Sequence, residues 1–472
     1  MKLIEKDLVT LEEASIKVGK TIHNIRDYIQ RGKIQKYNPN GELITKAKNG
    51  ELRVSLFELE KFLHLINMGI DKHHKAGLHP ELGFYDLPEY ERTKHVHRLH
   101  PYLGKFIPQL VEWFLRKFFA NDDLILDPFM GSGTTLVQGN EMNINTVGID
   151  ISPFNCLIAK VKTDKYDIEN VKFEVLDAKK KLSIFSKQID DIDNPEKLNL
   201  VFDEIENYKN RLLDECKSEY LNKWFAKKTL LEMLYYKSLI PIYKNQDLLK
   251  IILCRAVRSS RLIPHYDLAT PKKPLKEGEV YWCRKHNRYC KPIDNCLTKI
   301  NAYSMDTLRR IEQYNELRTN KNVLIIQGDS RYVDINSYLE NTELKNRKFD
   351  GIFTSPPYVG QIDYHDQHIY AYELLGIERY DNKEIGPKNK GKSKKAINDY
   401  IVGISDVFKN AIKFMKPDAK IFIVANDRFN IYPEIAQRSG MEIVEEFQRA
   451  VTKRTEQGDD PYQETIFQMR IT

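Results

Sequence analysis

An apolar run, Phe349-Asp350-Gly351-Ile352-Phe353, passes directly into Thr354-Ser355-Pro356-Pro357-Tyr358. The first five residues read as a buried strand. Two prolines cannot continue a central strand, because neither donates to the ladder. The strand must stop there and hand the chain to a stiff, exposed loop. A serine hydroxyl, the Pro356 carbonyl and an aromatic ring then sit at the strand's carboxyl end. Those groups suit a flat, amino-bearing ring, with acceptors for the amine and a face for stacking. Taken alone, the five residues serve equally well as a plain proline-rich junction.

A second strand-to-loop junction lies upstream. Leu124-Ile125-Leu126 reads as a short buried strand, and Asp127-Pro128-Phe129-Met130-Gly131-Ser132-Gly133-Thr134-Thr135 leads from it into a helix, Thr135 to Met142. Strand, glycine turn and helix open a doubly wound sheet. Gly131 and Gly133 let the backbone approach a ligand, and the helix amino terminus favours an anionic group. Glycine turns of this kind are also common without a ligand. A strand from Thr146 to Asp150 follows, and an acidic residue about twenty residues past the glycine turn fits a hydrogen bond to ribose hydroxyls. In isolation, Asp150 reads better as a cap or turn residue. Strand pattern resumes at Val323–Ile326, followed by Gly328-Asp329-Ser330. A helix from Asn398 to Met415, a strand from Lys420 to Val424, and an antiparallel pair, Glu442–Val451 and Glu464–Ile471, complete an α/β, Rossmann-like sheet.

The amino-terminal region has its own signals. Thr10 can cap a first helix, Thr21 a second and Ser55 a third, with Gly19 and Gly32 as breakers. Asn38-Pro39-Asn40-Gly41 and Asn49-Gly50 mark turns between the second and third helices. This order resembles the winged helix-turn-helix of the MerR and excisionase type, which implies DNA binding through the second helix, here His23, Asn24, Arg26 and Asp27. Lys33, Lys36 and Arg53 would lie near phosphates.

Residues 166–320 are helical by period. Arg255, Arg258 and Arg261 recur three apart, as either a solvated face or a phosphate-facing stripe. Cys283, His286, Cys290 and Cys296 follow, four ligands that could hold one zinc ion tetrahedrally. The spacing is not a standard paired-cysteine pattern, and reduced cysteines in a basic loop are the favoured reading. Net charge is +7 over 472 residues. It is concentrated: Thr270–Lys299 carries eight Lys/Arg against three acids, and Asn382–Lys395 six lysines against one. Such patches suit a polyanion. The second segment, with Gly386-Pro387 and Gly391, should be mobile. Six cysteines do not suggest a disulfide framework, and no apolar run approaches a membrane span or a signal-peptide core, which points to the cytoplasm.

Together the two junction motifs resemble the amino-group DNA methyltransferases that use S-adenosylmethionine, over about 95–165 and 321–472. The segment through His100-Pro101-Tyr102 and Lys105-Phe106 also looks like the family's approach to its cofactor loop. The resemblance implies that Lys105, Asp127, Pro128, Gly131, Gly133 and Thr134 lie around the methionine part, Asp150 at the ribose and Asp329 at the adenine amine. It assigns catalysis to Ser355, Pro356, Pro357 and Tyr358, with the serine side chain and Pro356 carbonyl accepting from the target amine and Tyr358 stacking on a flipped base. Serine at the first catalytic position is typical of cytosine-N4 enzymes, whereas adenine-N6 enzymes more often carry Asp or Asn. No cysteine follows a proline, which argues against carbon-5 cytosine methylation.

The expected organisation is a winged helix-turn-helix over 1–65, a linker over 66–94, a cofactor half over 95–165, a helical basic insert for target recognition over 166–320, and a catalytic half over 321–472. Expected partners are double-stranded DNA and a cognate restriction endonuclease. Two rivals stand: a transfer-RNA guanine-N2 methyltransferase, which would more often carry Asp-Pro-Pro-Tyr, and a regulator built on an inactive scaffold.

Overall fold

The computed structural model describes residues 7–44, 52–67, 79–84, 87, 89–192, 202–268, 271–451 and 462–472. The expected turn at Asn49-Gly50, about half of the expected linker (68–78, 85, 86 and 88) and Thr270 at the start of the first basic segment lie outside them. The chain divides into two compact units, one of Met1–Glu91, Val424–Asn430 and Ile443–Met469, the other of Arg92–Ile423, Ile431–Glu442 and Arg470–Thr472.

In the first unit, strand β1 (Leu8–Thr10) pairs antiparallel with β2 (Arg53–Ser55). Thr10 caps the helix Leu11–Val18 in a reciprocal capping box with Glu13, and Gly19 ends it at φ 64°. Thr21 caps Ile22–Gln30, and Ser55 accepts from the Glu58 N–H at the start of Leu56–Asn67. The three helices bury Leu11, Ala14, Ile25, Leu59 and Phe62 together with Val54.

The second unit is built on parallel strands. These are β3 (Leu124–Asp127) and β4 (Asn145–Asp150), then, beyond a hairpin of β5 (Tyr281–Cys283) and β6 (Arg288–Cys290), β7 (Val323–Gln327), β8 (Phe349–Thr354) and β9 (Met415–Ala425). Their order in the sheet is β9-β8-β3-β4-β7, while β10 (Met441–Val451) and β11 (Tyr462–Ile471) belong mostly to the first unit. Leu124, Ile125, Leu126, Ile352 and Phe353 are fully buried, as expected of parallel strands covered by helices on both faces. Strand β9 begins five residues before the Lys420 start that the apolar pattern suggests. Its first residues, Lys416-Pro417-Asp418, are polar and exposed, and the pairing with β8 shifts register between Phe349 and Gly351.

Residues 166–320 form the helices Ile168–Ile192, Phe202–Glu215, Glu219–Trp224, Lys227–Leu239, Gln246–Ser259 and Leu297–Leu317. Val171, Val175, Leu182, Tyr236, Leu249 and Ile300 close their core. The hairpin β5–β6 interrupts this helical run, and its three-residue strands are too short to show a period. No helix among the described residues is long and apolar enough to cross a membrane.

Candidate functional site

Strands β3 and β8 are hydrogen-bonded neighbours, and the sheet runs outward from them in opposite directions, from β3 to β4 and β7 and from β8 to β9. In open α/β sheets a ligand crevice forms at the carboxyl ends of the strands at such a reversal. A cleft opens there, lined by both proline- and glycine-bearing loops.

Hydrogen bonds fasten the two loops to each other and to their neighbours. Thr354 Oγ1 donates to Asp127 Oδ1 at 2.6 Å, and Thr135 Oγ1 donates to the Phe353 carbonyl at 3.3 Å. Ser330 Oγ donates to the Pro128 carbonyl at 2.6 Å, and Tyr400 Oη to the Pro357 carbonyl at 2.8 Å. Asp127 is therefore a strut behind the cleft wall and does not line it. Burial pushes its carboxyl up to about 6, against the hydrogen bonds from Thr354, Thr135 and the Phe129 N–H.

Lys105, Pro128, Gly131, Thr134, Asp150 and Asp329 all line the cleft, as do Ser355 and Pro357. Pro356 is buried, and Tyr358 is half-buried outside the lining. Gly131 has φ 48°, and a Cβ there would lie 2.9 Å from Tyr102 Oη. Gly133, at φ 76°, faces away from the cleft, where a Cβ would meet Ala159 Cβ at 2.9 Å. Lys105 Nζ donates to the His97 carbonyl at 2.6 Å. Behind it, fully buried Lys162 donates to the Ser132 carbonyl at 2.7 Å, and burial holds its ammonium well below the ordinary lysine range. Asp329 is held by Arg331 through both oxygens, at 2.9 and 2.6 Å.

Asp150 ties β4 to the glycine turn. Its Oδ2 accepts from Gly131 N–H at 3.0 Å, and its Oδ1 from Ser152 N–H at 2.8 Å and Asn155 Nδ2 at 3.1 Å. Burial outweighs those donors and raises its carboxyl to about 6. The sign follows from the raised value. Asp150 and Asp127 favour the folded state most below about pH 4, the unfolded carboxyl value, and lose that contribution as pH rises through about 6. A ligand hydroxyl that donates to Asp150 needs the opposite, an ionised acceptor. Cofactor affinity should therefore be flat above about pH 6.5 and fall towards tenfold per unit below about 5.5. Titration calorimetry between pH 8 and 5 checks this, and a flat profile to pH 5 would remove Asp150 from the binding set.

The outer wall escaped the sequence reading. Tyr102 stacks on Tyr364 with centroids 6.0 Å apart, and the His365 ring pairs through Nδ1 with Glu384. Tyr364, His365 and Glu384 all line the cleft. Glu384 is the single acid within the lysine-rich segment, which forms short turns at Asp381–Lys383 and Lys388–Lys390. Instead of a free loop, Lys383, Glu384 and Ile385 make one side of the cleft.

Two expectations need correcting. The arginine stripe is not a phosphate-facing surface. Arg255 pairs with Asp306 at 2.7 Å and lies over the Tyr303 ring. Arg261, 4% exposed, donates to the Arg258 carbonyl at 3.0 Å and the Leu268 carbonyl at 2.8 Å. The helix also ends at Ser259, so the three-residue spacing does not continue along one face. Cys296 is likewise no partner for the other three proposed metal ligands: it is fully buried at a helix start, its N–H donating to Glu232. His265 takes its place beside Cys283, His286 and Cys290. In the other unit, Arg26 is exposed, and Asn24 is half-buried with its N–H donating to Thr21 Oγ1 at 3.2 Å.

A family model described as DNA methylase matches residues 31–161. The Type II methyltransferase M.MjaII of Methanocaldococcus jannaschii is 43% identical, over an alignment spanning 99% of this chain and 97% of that protein. The Type II methyltransferase M.BsoBI of Geobacillus stearothermophilus is 27% identical, over 66% of this chain and 61% of its own length. Among solved structures, TrmN from Thermus thermophilus overlaps 78% of this chain and 50% of its own at 10% identity and a TM-score of 0.27. The rRNA methyltransferase aviRa from Streptomyces viridochromogenes overlaps 79% and 88% at 10% identity and a TM-score of 0.30. Scores that low do not bear on substrate.

Proposed function

The chain belongs to the S-adenosylmethionine-dependent amino-group DNA methyltransferases, and from that premise we propose that its target is the exocyclic N4 amine of cytosine at a specific site in double-stranded DNA. The observation that carries this reading is Ser355, which lines the cleft at the end of β8 where adenine-N6 relatives more often place an acid or amide. When bound, S-adenosylmethionine supplies an electron-poor methyl group.

The residues of the cleft suit that cofactor. Asp150 and Asp329 offer carboxylate acceptors for ribose hydroxyls and an adenine amine, and Pro128, Phe129 and Val407 offer an apolar surface for its ring. The backbone at Gly131 has no Cβ in the way, because Tyr102 already fills that volume. Lys105 and Thr134 stand where the methionine part would lie.

A cytosine amine is a poor nucleophile, since its lone pair is delocalised into the ring. Ser355 Oγ and the Pro356 carbonyl, accepting from its two hydrogens, would draw the nitrogen towards a tetrahedral, nucleophilic geometry. Asp127 and Thr354 hold the strand end that places them, and Tyr400 braces the loop at Pro357. Most of the remaining acceleration is positioning. The amine is out of reach inside a duplex, so the base must leave the stack, with Tyr358 as its stacking face. We assign target recognition to the 166–320 insert, the 1–65 module or both, and a cognate endonuclease as the genetic partner.

The test is direct. The protein is incubated with labelled S-adenosylmethionine and double-stranded DNA, the DNA is digested, and the nucleosides are separated by mass spectrometry. N4-methyldeoxycytidine is expected. N6-methyldeoxyadenosine alone would sink the choice of base, and label on transfer RNA but not DNA would sink the substrate.

A further inference from the structure

Away from the cleft, four chemically loaded side chains come together. His265, Cys283, His286 and Cys290 place their ligand atoms all within 4.8 Å of one another. We propose that these four side chains form a tetrahedral zinc site that locks the β5–β6 hairpin onto the irregular segment that follows the helix Gln246–Ser259.

Three observations carry it. The first is geometry. Zinc–sulfur and zinc–nitrogen bonds of about 2.3 and 2.0 Å set ligand atoms about 3.5 Å apart in a tetrahedron. Cys283 Sγ and Cys290 Sγ each lie 3.5 Å from His286 Nδ1, and Cys283 Sγ lies 4.0 Å from His265 Nδ1. Both histidines turn the same ring nitrogen, Nδ1, to the cluster. The second is local architecture. Cys283 ends β5, His286 sits in the turn with its N–H donating to the Cys283 carbonyl at 3.2 Å, and Cys290 ends β6, so three ligands come from one hairpin knuckle. His265 joins from outside, its own N–H donating to Tyr281 Oη at 2.8 Å. None of the cysteines is in a disulfide.

The third is need. β5 and β6 form a separate two-stranded sheet of three residues each, and an isolated hairpin of that size is marginal in water. It has little core to hold it, since Val280, Trp282 and Tyr289 are 55, 49 and 70% exposed. A metal cross-link supplies what packing does not. Binding takes both cysteines as thiolates and releases their protons to solvent.

The locked hairpin shows Trp282 packed edge-on against Tyr289 at 5.3 Å, beside exposed Arg284, Lys285 and Arg288. Basic groups interleaved with aromatic rings suit a nucleic-acid backbone. This consequence rests on the DNA reading above; the metal site does not.

The experiment uses the full chain, purified without chelator and dialysed against excess zinc, then buffer alone. Elemental analysis should give one zinc per chain for the wild type and for Cys296→Ser, and less than a fifth of that for Cys290→Ser and His265→Ala. Titration of the wild-type protein with a mercurial should release the zinc to a chromogenic chelator, a readout that needs no variant to fold. The cobalt-substituted protein should absorb as a tetrahedral sulfur-ligated centre. Wild-type protein without zinc, an octahedral cobalt spectrum, or zinc lost from Cys296→Ser but kept by His265→Ala would overturn the assignment. Methyl transfer is assayed separately. Stoichiometric zinc without DNA methylation would refute only the proposed function, and methylation without zinc only this site.

Discussion

Replacing Ser355 by alanine should lower the rate constant for methyl transfer to DNA by about 10²–10³-fold, the usual effect of deleting one hydrogen-bonding group that acts as charge develops. Ser355 is half-buried and lines the cleft, so alanine removes a ligand-facing group rather than a core contact, and stability should change by less than about 0.5 kcal/mol. Cofactor and DNA affinity should stay within about twofold, because the group is engaged chiefly as the amine changes geometry. Single-turnover kinetics with saturating cofactor, alongside calorimetric binding, separates these quantities. An unchanged rate would leave Ser355 as a loop residue. A loss of DNA affinity equal to the loss of rate would make it a contact for the ground-state base.

Gly131→Ala should have the largest effect on the cofactor. Its φ of 48° already costs a non-glycine residue about 1–2 kcal/mol. The new methyl would also sit 2.9 Å from Tyr102 Oη and 3.2 Å from Tyr102 Cζ. That ring cannot swing aside, since it is stacked on Tyr364 and His368, and Asn155 donates to its hydroxyl at 3.3 Å. The glycine turn would have to move, taking with it the N–H that fixes Asp150. A loss of cofactor affinity of about 2–3 kcal/mol, thirty- to a hundredfold or more, is expected. Tyr102→Phe removes the nearest atom and should restore part of that loss in the double variant. Gly133→Ala makes the useful contrast. Its methyl would strike Ala159 on the far side, so thermal stability rather than cofactor affinity should fall. Equal affinity losses in the two variants would contradict this division of labour.

What could be read in the sequence is what proline and glycine punctuate. The prolines after Thr354 and the glycines after Asp127 mark strand ends unambiguously, and the two loops do meet across one cleft. Side-chain roles were harder, because they depend on which way a residue turns. Asp127 and Gly133 sit in the right loop but face inward, one into Thr354 and the other into Ala159. Residues drawn from afar had no local signal at all. His265 precedes Cys283 by eighteen residues and reaches it only through the fold, whereas Cys296 was nearer in sequence and points elsewhere. The arginines show the same limit. A spacing of three describes a helical face but not what lies opposite it, and Asp306 and Tyr303 lie opposite Arg255.

The pairing of β3 with β8 also sets a timetable for synthesis. Leu124 N–H donates to Asp350, 226 residues further along, so the middle of the sheet waits for the whole insert to be translated. At about 5–20 residues per second that interval is on the order of tens of seconds. Until β7 emerges, β3 and β4 can pair only with each other, and throughout the interval the apolar outer edge of β3 stays open to any passing strand. A nascent chain halted between residues 170 and 320 should therefore be the form most in need of a chaperone, and the one most prone to aggregate when translation stalls.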